Sequence, residues 1–228
     1  MAQTQKYNKG TFMPTSRQNM ISKLHGLYPV SESSLISYDS LPYALEQMFK
    51  GGVTIFQLRD KSQDKSHLLS VCKEIRRICN QYGALFIIDD DVEFAINIDA
   101  DGVHLGEHDM TIEMARAKLG NGKIIGASCY GSIERALQMQ AAGADYAAFG
   151  AFFASKTKPL APTVERGILE EAKKALNIPI CAIGGITDTN ASELTSKGAD
   201  MVAVITDIWQ CDDLHEKIIN YKRYFNDK

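Results

Sequence analysis

The chain has 228 residues, 45% hydrophobic and 23% charged, with a formal charge of −3 from 25 basic and 28 acidic side chains. That balance suits one large globular domain and excludes the concentrated basic face of a nucleic-acid binder. No apolar run is long enough to cross a bilayer, so no membrane partner is expected.

The opening MAQTQKYNKGTFMPTSRQNM is polar and has no apolar h-region. It reads as an extension over residues 1–22 ahead of a domain over 23–228, not as a signal peptide. LYPV at Leu27–Val30 is the first apolar run, and LPYALEQMFKGG then has helical spacing and a Gly-Gly stop. VTIFQL is β-branched and apolar, a strand, and LLSVCKEIRRICNQYG is an amphipathic helix. ALFIID, DGVHLG, KIIGAS, DYAAFG, IPICAIGG and ADMVAVI read as further strands. Between and after them, VEFAINI, MTIEMARAKLG, SIERALQMQAAG, VERGILEEAKKAL, DTNASELTSKG and LHEKIINYKRYF read as helices.

Eight strands thus alternate with eight helices. A weak repeat, NIDADGVHLG, AAGADYAAFG and SKGADMVAVI, marks three of the helix-to-strand joints. Strands apolar on both faces imply a parallel sheet covered on both sides. The predicted fold is α/β, a single closed (β/α)8 TIM barrel, with an open doubly wound sheet as the alternative. Five cysteines without metal-type spacing predict free thiols in a reducing, cytoplasmic compartment. Cys72 and Cys79, two helical turns apart, are expected on one buried face.

A barrel builds its site from the loops after the strands' C-terminal ends. After strand two, alternation puts Gln57, Arg59 and Lys61 on one face, two cations and an amide suited to a polyanion. After strands three and four, Asp90 and Asp109 come from neighbouring loops, the carboxylate pair that Mg²⁺ on a diphosphate needs. The plain alternative for Asp90 or Asp91 is an N-cap, with Glu93 completing a capping box from Asp90. After strand six, ASKTKP offers Ser155, Thr157 and two lysines to phosphate oxygens. After strand seven, Gly184 and Gly185 let backbone N–H groups approach an anion; the alternative there is a tight turn with an N-cap at Thr187. His104, inside a strand, reads as a hydrogen-bonded core group, and His108 as exposed.

FQLRDK, IIDDDVEFAINIDADGVHLGEHDM, IGAS, GADYAAFGAFFASKTKP, AIGGIT and GADMVAVIT, in this order from about Leu27 to Ile208, resemble the thiamine phosphate synthase family. The resemblance implies a transferase that joins 4-amino-2-methyl-5-hydroxymethylpyrimidine diphosphate to hydroxyethylthiazole phosphate, with pyrophosphate leaving first. It implies that Gln57, Arg59, Lys61, Ser128 and Lys158 hold the pyrimidine diphosphate. Asp90 and Asp109 would hold Mg²⁺, and Ser155, Thr157, Gly185, Ile205 and Thr206 the thiazole phosphate. Its partners would be small-molecule phosphates, and a homo-oligomer stays open.

Asp89 stands where the family usually has an Asn that contacts the aminopyrimidine, Cys129-Tyr130 where Thr-His is common, and Ser155 where it has a threonine. Two other readings follow from these departures. One is a divergent paralogue that binds the phosphates without turnover. The other is a thiazole-phosphate tautomerase-like enzyme, which would use a histidine at the position of Tyr130 and lack the acidic and basic set.

Overall fold

Each apolar run of the sequence folds as a short strand: β1 (Gly26–Pro29), β2 (Ile55–Leu58), β3 (Leu85–Asp89), β4 (Gly102–Leu105), β5 (Ile124–Tyr130), β6 (Tyr146–Phe149), β7 (Ile180–Ile183) and β8 (Met201–Val204). The computed structural model describes residues 16–60, 65–154 and 162–225. The helices are α1 (Ser16–Ile21), α2 (Leu41–Lys50), α3 (Lys65–Tyr82), α4 (Val92–Asn97), α5 (Ile112–Leu119), α6 (Ile133–Ala142), α7 (Ile168–Ala175), α8 (Ala191–Thr195), α9 (Thr206–Trp209) and α10 (Leu214–Lys222).

All pairings are parallel, in the order β1-β8-β7-β6-β5-β4-β3-β2. The ring closes between β1 and β2 through one bridge, Val30 to Gln57, and the Ser31 N–H donating to Gln57 O at 2.9 Å. This seam is thin for a chemical reason. Gly26 and Val30 direct their N–H groups to the β8 side. Alternation therefore turns Pro29 toward β2, and proline has no N–H to give. Trp209 of α9 covers the seam, its Nε1 donating to Val30 O at 2.7 Å. The predicted barrel is present, with, among the described residues, two helices beyond the eight expected, α1 within the predicted extension and α9 after β8.

Apolar side chains divide into two packed groups. One lies between the sheet and its helices and includes Leu45, Phe56, Ile75, Phe86, Val103 and Val202. The other fills the barrel interior and includes Tyr28, Ile55, Ile87, Ile124, Tyr146 and Met201. Gly126 makes room for Tyr146, since a Cβ there would sit 2.0 Å from the ring's Cζ. Cys72 and Cys79 are both buried in the outer group, as expected, and burial pushes each thiol up to about 12.

The repeated Gly-Ala-Asp joints have one structural job. Asp101, Asp145 and Asp200 each precede an even-numbered strand, and each N–H donates to the preceding strand, to Phe86, Ile125 and Ile180 O. Each carboxylate accepts in return from the N–H of that same residue, at 2.8, 2.8 and 3.0 Å. A cation from the helix that leads into that preceding strand completes each joint: Arg76 of α3, Arg116 of α5 and Lys173 of α7. Arg17 of α1 adds a second guanidinium to Asp145 at 2.7 Å, which fixes α1 across the bottom of the barrel.

Candidate active site

The strand ends open into two adjoining cavities. The first, about 360 Å³, is lined by Gln57, Arg59, Asp89, Asp90, His104, His108, Asp109, Ser128 and Tyr130 around a floor of Tyr28 and Tyr146. The second, about 390 Å³, is lined by Gly185, Thr187, Thr206, Asp207, Gln210 and Lys217. Ile183, Gly184, Ala203 and Ile205 form a wall common to both.

Alternation along β2 brings Gln57 and Arg59 to the same cavity, as the sequence predicts. The Arg59 guanidinium is gripped from two sides. Glu32, from the loop after β1, accepts from Nη1, and Asp89 lies 3.6 Å from Nε. Glu32 carries no motif and was not singled out from the sequence; only the folded loop brings it to Arg59. The three consecutive acids separate. Asp89 faces Arg59, Asp90 has a left-handed backbone with φ 64° and lines the cavity, and Asp91 caps α4 by accepting from Phe94 N at 2.9 Å. The capping box expected from Asp90 to Glu93 is therefore not formed. The cap is one residue later, its third helical position is Phe94, and Glu93 pairs with Lys118 instead.

Asp109 accepts from Gly106 N at 2.7 Å, which folds the loop after β4 back toward the cavity. Asp90 and Asp109 thus line one cavity from neighbouring loops, with hard carboxylate oxygens that suit Mg²⁺. No cluster of three or more metal-type side chains occurs among the described residues. The donor set fits an ion that takes one or two protein carboxylates and completes its shell from substrate and water.

On β5 the pairing slips between Ser128 and Tyr130. Ser128 points into the cavity, Cys129 packs into the outer core, and Tyr130, at φ 55°, stands at the mouth. Of the Cys129-Tyr130 pair, only the tyrosine can therefore touch a ligand. Its hydroxyl accepts from Glu107 N at 3.3 Å, tying β5 to the loop that carries Asp109. His104 hydrogen-bonds as expected but also lines the cavity, its Nε2 2.9 Å from Ser128 Oγ. His108 is exposed.

In the second cavity, Gly184 and Gly185 have φ 103° and 63°, and a Cβ on Gly185 would lie 2.5 Å from Ala154 O. Only glycine fits that turn. Thr187 is not a helix cap, because α8 begins at Ala191; its N–H donates to Asn190 Oδ1 at 2.8 Å within the turn. Ile205 and Thr206 open the short extra helix α9, in the position where such barrels place one beside a phosphate site.

Lys217 of α10, not singled out from the sequence, reaches this cavity between Asp188 at 3.0 Å and Asp207 at 3.3 Å. Burial pulls its ammonium down, but its bond to Asp188 and the charge of Asp207 more than offset this and raise it. Lys61, Ser155, Thr157 and Lys158 lie outside the described residues.

A family model described as thiamine monophosphate synthase matches residues 27–208. The chain belongs to this family. It is 43% identical to a thiamine-phosphate synthase of Thioalkalivibrio sulfidiphilus, covering 84% of this chain and 90% of that one. It is 42% identical to the one of Nitrosococcus oceani, covering 90% and 95%. The thiamine phosphate pyrophosphorylase of Pyrococcus furiosus superposes with a TM-score of 0.80 at 32% identity, over 92% of this chain and 98% of that one. Membership of the thiamine monophosphate synthase family makes the chain an enzyme of the transferase class in thiamine biosynthesis. It also agrees with the barrel architecture.

Proposed function

We propose that the chain couples 4-amino-2-methyl-5-hydroxymethylpyrimidine diphosphate with hydroxyethylthiazole phosphate to give thiamine phosphate and pyrophosphate. The observation that carries this reading is the pair of cavities with a common wall, one acidic and basic by turns, the other built on a glycine turn. Two phosphorylated substrates held side by side need such a plan.

In this reading Gln57, Arg59, Asp89 and Ser128 bind the pyrimidine diphosphate, with Lys61 and Lys158 joining them. Asp90 and Asp109 hold Mg²⁺. Ser155, Thr157, Gly185, Ile205 and Thr206 hold the thiazole phosphate, the last three through backbone groups. The bond between the pyrimidine methylene carbon and the diphosphate oxygen breaks, and the electron pair leaves with pyrophosphate. The thiazole nitrogen then donates its lone pair to the methylene cation. No protein nucleophile is required. Arg59 and the lysines bind the leaving group, and the apolar common wall holds the thiazole against the cation and excludes water. Mg²⁺, when bound, supplies charge neutralisation of the diphosphate.

Purified protein given both substrates and Mg²⁺ should release pyrophosphate and form thiamine phosphate in equal amounts. Binding of both substrates without pyrophosphate release would overturn the synthase reading in favour of a non-catalytic paralogue.

A further inference from the structure

A row of five side chains crosses the floor of the first cavity. Gln57 Nε2 donates to the Tyr28 hydroxyl at 2.9 Å. The Tyr28 and Tyr146 hydroxyls are 2.9 Å apart, and Tyr146 Oη is 2.9 Å from His104 Nδ1. His104 Nε2 is in turn 2.9 Å from Ser128 Oγ. Distances alone leave three of these bonds without a direction. The chemistry of the end group supplies it.

An amide NH₂ can only donate. Tyr28 is fully buried, so having accepted from Gln57 it must place its single proton on Tyr146. Tyr146, equally buried, then passes its own proton to His104 Nδ1. Burial pushes both phenols well above their ordinary range, so each keeps the one proton this count requires. An imidazole that accepts at Nδ1 is neutral and carries its proton on Nε2, where it donates to Ser128 Oγ. The Ser128 proton is then directed away from the histidine and into the cavity. The opposite order, or an imidazolium, would require the Gln57 amide to turn over and present Oε1 to Tyr28 in place of Nε2.

We propose that Gln57, acting through Tyr28, Tyr146 and a neutral His104, fixes Ser128 as a hydrogen-bond donor to an anionic oxygen of the diphosphate. His104 and Tyr146 are thereby positioning residues of the site. The identity of the acceptor rests on the proposed function; the order of protons does not.

Long-range ¹H–¹⁵N NMR of the ¹⁵N-labelled, ligand-free protein reads the His104 tautomer, assigned by loss of its signals in His104→Gln. The expected result is a proton on Nε2 and a bare Nδ1 at neutral pH. A proton on Nδ1, or on both nitrogens, would overturn the proposal. Calorimetric titration with inorganic pyrophosphate and Mg²⁺ tests the consequence. Tyr146→Phe and His104→Leu should weaken binding about ten-fold, the worth of one hydrogen bond to a charged acceptor. His104→Gln, which keeps a donor for Ser128, should stay within about two-fold of wild type. Equal affinity in all four proteins would sink the positioning role. Neither measurement needs turnover, so failure of the coupling assay with the Nε2–H tautomer present would count against the proposed function alone.

Discussion

Asp101, Asp145 and Asp200 make the same bonds at three joints of the barrel, so replacing each with alanine poses one question in three settings. The Asp145 side chain is 1% exposed, and Arg116 beside it 13%. It receives two guanidinium groups and the Ile125 N–H, all at 2.7 to 2.8 Å. Removing one partner of a buried ion pair costs about 3–5 kcal/mol, because the other charge is stranded.

Asp101 is 20% exposed against an Arg76 that is 16% exposed. Solvent can partly rescue this pair, and about 2–3 kcal/mol is expected, near the upper range of a hydrogen bond to a charged group. Asp200 is 19% exposed, but its partner Lys173 is 52% exposed. That pair is worth little, and most of the loss is one backbone hydrogen bond, about 1 kcal/mol. Urea unfolding followed by circular dichroism should rank the losses Asp145 > Asp101 > Asp200, by midpoint shifts at constant slope. In a thermal scan Asp145→Ala should melt on the order of 10 °C lower. Equal losses at the three joints would refute the reasoning, since they would make shared geometry, not burial, the source of the stability.

Asp89→Asn removes a carboxylate 3.6 Å from the Arg59 guanidinium and from the cavity that would take a diphosphate. Steady-state kinetics should show KM for the pyrimidine diphosphate falling about three- to ten-fold, worth ~1 kcal/mol; an unchanged or higher KM would contradict the anionic role given to this cavity. Gly185→Ala should cost about 1–2 kcal/mol for a left-handed alanine and further stability for the contact at 2.5 Å with Ala154 O. Gly143→Ala, left-handed at φ 104° with nothing closer than 3.7 Å, should cost only the first part, and equal losses in chemical unfolding would dismiss the contact. Partial burial pushes the Asp188 carboxyl up, but hydrogen bonds from Lys217 and Asn220 more than offset it and hold it below its usual value. Its contribution is therefore complete above the unfolded pKa of about 3.9 and is lost as pH falls through the lower folded value. Asp188→Asn should flatten that acid limb, and an unaltered limb would argue against the pair.

The strands and their order were legible because parallel barrel strands are apolar on both faces and come with glycine or aspartate at fixed joints. Helix starts were less so. VERGILEEAKKAL has helical spacing throughout, yet α7 begins only at Ile168; Val164 ahead of it belongs to a loop, its N–H donating to Ala151 O at 2.8 Å. In the site, Gln57, Arg59, Asp90 and Asp109 could be found because they stand at strand ends in a recognisable order. Glu32 and Lys217 could not, since each is an ordinary surface charge in its own segment and acquires meaning only from what folds opposite it. Tyr28, Tyr146 and His104 were hidden differently. They sit on inward-facing strand positions, where an aromatic residue reads as core, and their polar atoms matter only because they meet one another.

The stretch Asp89-Asp90-Asp91 shows how backbone geometry makes a costly sequence usable. Three adjacent carboxylates on one extended strand would alternate sides, with Asp89 and Asp91 facing each other's field. Here the Asp91 N–H donates to Asp89 O at 2.8 Å, and Asp90 takes φ 64°, a tight reversal that Asp tolerates better than most residues. The reversal separates the charges and gives each its own compensation: a guanidinium for Asp89 and a helix N-terminus for Asp91. Asp90, held by its N–H bond to His104 O at 2.9 Å, is left facing the cavity. One residue fewer would put the helix cap at the cavity and the cavity acid on the strand. The run of three is therefore the length needed to pass from a buried strand to a capped helix while leaving one acid at the cavity.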